Sequence, residues 1–270
     1  MKNNNSTEFF YQLFSLLLAI IIVHALFVAV IRPEAEVLMQ MQQAQQIAGS
    51  SVTEQRSIYL VLKDYEQETC LILMLWALMI MAYKAYCTFQ EKNMFDQAML
   101  SVQAGASILP EDARNLCRPL QALPEDKQQM LAPRALLISL KRFAATGSVS
   151  AVAAAIKNIC DSESDRLDSE LAMVRYIAWA IPSIGFIGTV RGIGDALGQA
   201  HKAVEGDIIG ITNSLGVAFN STFIALVISI FIMFFTHQLQ LMQERLVQRT
   251  QDYCDNNLLN HLKADNNESA

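Results

Sequence analysis

Charge is scarce in this chain. Only 17% of its 270 residues are Asp, Glu, Lys or Arg, against 53% hydrophobic, with a positive mean hydropathy. That balance excludes an ordinary soluble domain of this size. There is no basic surplus either: the net charge of -6 removes any electrostatic footing for a nucleic-acid partner. Cysteine is sparse and scattered, with Cys70, Cys87, Cys117, Cys160 and Cys254 forming no CxxC pair and having no His at ligand spacing. They read as free thiols, so neither a disulfide framework nor a metal centre is expected. Catalytic signatures are missing as well: no P-loop, no HExxH and no nucleophile elbow occurs, and Gly192, Gly194 and Gly198 follow no strand and lack dinucleotide-binding spacing. No cofactor and no enzymatic chemistry is expected. With neither internal repeats nor strand-rich segments, the fold class is all-α.

What the chain has in abundance is long apolar runs. About twenty apolar residues, at about 1.5 Å of helix rise each, cross a hydrocarbon core of about 30 Å. Four segments meet that need, 13–31, 70–86, 176–197 and 208–235, and the second does so if Lys84 snorkels to the interface. The first is read as an anchor rather than a signal peptide, because Lys2 stands alone before it and no small-x-small cleavage site precedes Arg32. Lys and Arg are concentrated between the second and third spans, whereas acidic residues dominate 33–69, so the positive-inside rule puts the long loop and both termini in the cytoplasm. The expected organisation is an N-terminal transmembrane helix (1–32), a periplasmic helical segment (33–69), a second transmembrane helix (70–88), a cytoplasmic helical region (89–175), a helix pair (176–236) and a cytoplasmic C-terminal helix and tail (237–270). Within the cytoplasmic region a helical hairpin is expected from Arg134 with its break at Thr146, Gly147 and Ser148, and a further break is expected near Gly49 to Ser51. Leu239, Met242 and Leu246 fall at helical spacing, which extends the fourth span beyond the membrane.

The third and fourth spans carry the candidate functional residues. Gly185, Gly188 and Gly192 share one helix face and allow close backbone approach, and Ala218, Thr222, Ala225 and Ser229 form a matching stripe of small and hydroxyl residues. Thr189, Ser221 and Thr222 place hydroxyls inside apolar sequence, with Asn213 and Asn220 beside them. Such groups either line a polar path or bond backbone carbonyls and neighbouring helices. Arg191 and Asp195, four apart, read as an ion pair near the outer end, or as an ion entrance or partner contact. Pro182 removes one helix hydrogen bond and either kinks the span or hinges it. His24 is expected to be packed and hydrogen-bonded.

The stretches AIPSIGFIGTVRGIGDAL and SLGVAFNSTFIALVISI together resemble the paired helices of the MotA/TolQ/ExbB proton-channel family, over about 179–236. The resemblance implies a homopentamer around two copies of a one-span ExbD/TolR/MotB-like protein with an essential transmembrane Asp, converting proton or sodium flow into mechanical work. By motif position it makes Thr189 and Thr222 pore-lining, with the adjacent Ser221 and Asn220 expected on the same ion pathway, and aligns Pro182 with the proline that opens the first motif. Val217 stands where many three-span members carry Glu. A hydroxyl stores no proton at accessible pH, and no carboxylate lies at the middle of these spans, so the titrating group is expected from a partner. The competing reading is a non-conducting oligomeric membrane scaffold built on the same small-residue helices.

Overall fold

The computed structural model describes residues 2–47, 57–96, 99–100, 107–201 and 208–263. Among them the architecture is helical, with a lone β-bridge between Ile108 and Leu262. The expected break near Gly49 to Ser51 lies outside the described residues. Four helical stretches are long and apolar enough to cross a membrane: Phe9–Met41, Tyr65–Asn93, Val149–Gly198 and Gly210–His261. The chain is a multi-pass membrane protein of the all-α class. It divides into two compact units, one of Met1–Ala82 with Met173–Thr236, the other of Tyr83–Ala172 with His237–Ala270.

The first unit is built from long apolar helices. Helix α1 (Lys2–Leu26) passes through a π turn (Phe27–Ile31) into α2 (Arg32–Ile47). The cause is Pro33, which has no N–H to donate and cannot follow a regular α-turn without loss; the backbone widens instead, and the Arg32 N–H reaches back to Phe27 O. Ser15, Ala19, Val23, Phe27, Ile31 and Ala35, spaced by four, form the buried face of this helix. A four-residue repeat drifts about 40° per step around an α-helix, and the wider π turn offsets part of that drift. Helix α3 (Ile58–Leu62) is capped by the Ser57 side chain on Tyr59 N, and α4 (Tyr65–Asn93) follows. Val23, Phe27 and Ile31 pack with Leu62, Leu71, Ile72 and Leu75. Near its other end α1 is tied antiparallel to α4 by hydrogen bonds from Tyr11 Oη to Met79 O (3.1 Å) and from Trp76 Nε1 to Gln12 O (3.0 Å).

The second unit contains the proline-punctuated helices. These are α5 (Pro110–Gln121), α6 (Glu125–Gln128), α7 (Leu131–Thr146) and α8 (Val149–Glu170). Pro110 takes the first helical position of α5, where a missing N–H costs nothing, with Glu111 and Asp112 behind it to meet the helix dipole. Helix α7 ends at Gly147, whose φ of 61° lies in the left-handed region that favours glycine; Ser148 then caps α8 by accepting from Ala151 N at 3.3 Å. The expected hairpin break is therefore present, although α7 begins at Leu131, earlier than Arg134. Leu136, Leu140, Phe143, Val152, Ile156, Cys254 and Leu258 form the core of this unit.

Lys84 departs from expectation. Instead of snorkelling to an interface it is 5% exposed, with Nζ 2.7 Å from Glu170 Oε2. An ammonium taken out of water needs a carboxylate close by, and α8 supplies one. Glu163, also buried, is held by Arg134 and Arg166. Two further long helices follow, α9 (Ala172–Gly198) and α10 (Ile209–Asn257), so the fourth span does continue past its apolar section as one helix.

Candidate ion-pathway site

Helices α9 and α10 lie antiparallel along the small-residue faces read from the sequence. Gly185, Gly188 and Gly192 are all buried on α9. A Cβ built at Gly188 would be 2.6 Å from Ser221 Cβ, and one at Gly192 would be 2.7 Å from Ser214 O. Glycine is required because one main chain lies directly against the other.

Pro182 lies inside α9 without ending it. Having no N–H, it leaves the carbonyl of Ala178 without its normal helical donor. Ser229 on α10 fills that gap, its Oγ donating to Ala178 O at 3.0 Å, and Ser183 Oγ donates to Trp179 O one residue along. The carbonyl freed by the proline is thus satisfied across the helix pair, as an apolar surrounding demands.

About two helical turns further on, two hydroxyls meet. Thr189 Oγ1 is 3.2 Å from both Gly185 O and Ala218 O, Thr222 Oγ1 is 3.1 Å from Gly185 O, and the two hydroxyls contact each other. Each threonine reaches a carbonyl of the opposite helix, so the pair forms a reciprocal bridge rather than two self-contained bonds. Two protons serve this arrangement, and they can be ordered in either direction: Thr189 to Thr222 to Gly185 O, or Thr222 to Thr189 to Ala218 O. Both side chains stay half-buried, which leaves hydroxyl lone pairs open to a donor from outside the helix pair.

Ser221 turns another way. It is 1% exposed, donates to Val217 O at 2.9 Å and accepts from Gln67 Nε2 of α4 at 3.2 Å. The structure therefore brings Thr189 and Thr222 together and places Ser221 behind them, against α4 and Gly188. Asn220 is half-buried beside Ser221, and Asn213 is exposed.

The expected Arg191–Asp195 ion pair gives way to another. Arg191 Nη2 donates to Glu66 Oε2 at 2.9 Å, while Asp195 is exposed one turn on. The Glu66 side chain is only 11% exposed, so it gains more from a cation than an exposed Asp does. Beside it Glu68, also buried, takes His24 Nδ1 on one oxygen at 2.6 Å and Arg32 on the other; Arg32 in addition stacks over the Tyr65 ring. His24 is hydrogen-bonded, as expected from the sequence, but it is exposed rather than packed, with 58% of its side chain accessible.

Sequence reasoning missed the N-terminal turn of α4, where Asp64, Glu66, Gln67 and Glu68 gather. Their even clustering before an apolar run was the available signal, but it was read only as outward-facing acidity. Ser229 was seen as one of a stripe; the signal for its role was its place opposite the carbonyl four residues before Pro182.

No curated protein and no solved structure matches the chain. The model of the MotA/TolQ/ExbB proton channel family matches residues 128–252, taking in all of α7, α8 and α9 and most of α10. The match extends beyond the two motifs on both sides and covers the glycine face, Pro182 and the paired threonines. Over residues 128–252, just under half of its length, this multi-pass membrane chain is similar to the MotA/TolQ/ExbB proton channel family.

Proposed function

We propose that the chain is the channel subunit of an inner-membrane, stator-like complex, coupling ion flow down the electrochemical gradient to mechanical work. In this reading five copies surround two copies of a one-span ExbD/TolR/MotB-like protein whose transmembrane Asp carries the ion past Thr189 and Thr222. Both termini face the cytoplasm. The observation that carries the reading is the reciprocal hydroxyl bridge between α9 and α10, inside the segment that matches the family.

Chemistry supports the division of labour. Each threonine hydroxyl accepts and donates hydrogen bonds but does not titrate, so it eases a protonated carboxyl or a hydrated ion along without trapping it. The stored proton belongs to the partner. Moving one charge through 100 mV releases about 2.3 kcal/mol, enough to drive a switch between states of similar energy. The close approach at Gly188 and Gly192 supports a stiff α9–α10 wall against which a partner helix turns.

The test is proton flux in vesicles holding the chain together with its co-purified one-span protein. Thr189→Val and Thr222→Val should each cut flux by tenfold or more while assembly persists. Unchanged flux in both variants removes the pore assignment and favours a scaffold that uses the helix pair only for assembly.

A further inference from the structure

Three carboxylates stand at the start of α4, and two are answered by cations. Glu68 meets His24 and Arg32, and Glu66 meets Arg191. Asp64 is different: its Oδ2 is shut off from solvent and has no hydrogen-bond partner. Next to it Gln67 is 1% exposed; its Nε2 is committed to Ser221 Oγ, and its Oε1 is equally enclosed and without a partner. Two enclosed acceptor oxygens that lack donors, Gln67 Oε1 and Asp64 Oδ2, lie within one helical turn, while Asp64 as a whole stays half-buried. An ionised, enclosed carboxylate oxygen with no donor is among the costlier arrangements in a protein, and a bound proton relieves it by removing the charge.

The surrounding charges do not reverse this. Lys63 and Arg191 face Asp64 and favour its ionised form, Glu66 opposes it, and the Glu68–His24–Arg32 group is already self-compensated. Burial outweighs these contributions and pushes the Asp64 carboxyl above its ordinary range, even with the Gln67 amide beside it. The location matters as much as the protonation. Gln67, three residues on from this carboxyl, donates to Ser221, and Ser221 is the immediate neighbour of Thr222 in the hydroxyl bridge.

We propose that Asp64 is a proton-loading site: its carboxyl binds the permeant proton at Oδ2 before that proton reaches the Thr189–Thr222 pair. The step is one proton added to a carboxylate to give a neutral acid, and its release to water or to the partner's carboxylate restores the ion; no electrons move. This inference rests on the channel reading above and makes the permeant ion a proton rather than sodium.

Infrared spectroscopy of the full chain in lipid nanodiscs, titrated from neutral pH down towards the ordinary carboxylate range, tests it, with Asp64→Asn as the near-isosteric variant and Gln67→Leu as the second. The expected result is a carboxylic-acid C=O band that shifts in heavy water, disappears in Asp64→Asn and moves in frequency in Gln67→Leu. A spectrum identical in wild type and Asp64→Asn overturns the proposal. In vesicles with the co-purified one-span protein, Asp64→Asn should lower proton flux at least tenfold and Asp64→Glu should restore much of it. Full flux in Asp64→Asn overturns the loading role. Thr222→Val separates the two claims: if it abolishes flux while the infrared band is absent, the channel reading stands and the Asp64 site fails. If the band is present while Thr222→Val conducts normally, the proton site stands and the channel reading fails.

Discussion

Gly192→Ala, set against Gly194→Ala two residues away, isolates the cost of separating α9 from α10. At Gly192 a new Cβ would stand 2.7 Å from Ser214 O and 2.8 Å from both Ala218 Cβ and Ala218 N, against ordinary contact at 3.4–4 Å. Two of those three neighbours are main chain, so no side-chain rotation relieves the overlap; the helices themselves have to part by more than half an ångström. Overpacking of this kind costs about 1–3 kcal/mol, and parting the helices also stretches the Thr189 bond to Ala218 O one turn away. At Gly194 the added methyl meets nothing within 4 Å. Both substitutions gain the same helix propensity, up to about 1 kcal/mol, so the difference between the variants reads the clash alone. Unfolding in mixed detergent and dodecyl sulfate micelles, followed by tryptophan fluorescence, should place Gly192→Ala about 1–3 kcal/mol below Gly194→Ala. Equal midpoints would refute the close backbone approach on which the hydroxyl bridge depends.

Three further outcomes follow from the same reasoning. Ser229→Ala leaves the Ala178 carbonyl without a donor and should cost about 1–3 kcal/mol; in a Pro182→Ala background the restored N–H takes that carbonyl, and the cost of Ser229→Ala should fall close to zero in a double-mutant cycle. Glu170→Ala removes the carboxylate 2.7 Å from the buried Lys84 ammonium and should destabilise the fold, whereas Lys84→Met should cost clearly less, because Glu170 keeps Arg166 at 3.0 Å. Asp64 adds a pH dependence of definite sign. Its folded-state value is raised, chiefly by burial, above the ordinary 3.8, so between those values the native state binds more protons than the unfolded chain. Its contribution is fully present below the unfolded value and is lost as pH rises through the raised one. Chemical unfolding across acidic to neutral pH should show that decline in wild type and a flatter profile in Asp64→Asn.

The helices and the pairing of their faces were open to reading from residues, because period and composition act locally. Apolar length places four spans, and glycine at three- and four-residue intervals marks the α9 face. Gly147 and Ser148 announce the break between α7 and α8 through backbone rules that need no tertiary context. Partners across helices were harder. Arg191 lies four residues from Asp195, the natural local choice, yet the acid that holds it is Glu66, a residue 125 positions away. Lys84 follows the same pattern, since nothing near it in sequence forecasts Glu170. Local spacing identifies which charges need compensation but not which distant helix supplies it. Thr189 and Thr222 lie between these cases: their motifs were legible, while the reciprocal crossing onto Gly185 O and Ala218 O depends on the register of two packed helices. Ser221, adjacent in sequence, faces α4 because one residue along a helix is a rotation of about 100°.

The central claim, that this chain supplies the wall of a proton channel and a partner supplies its carboxylate, is tested most directly by native mass spectrometry of the complex extracted from its own membrane. The account predicts five copies of the chain with two copies of a one-span protein whose apolar segment contains an Asp. Assemblies of this chain alone, or with a partner lacking any carboxylate in its membrane segment, would contradict it.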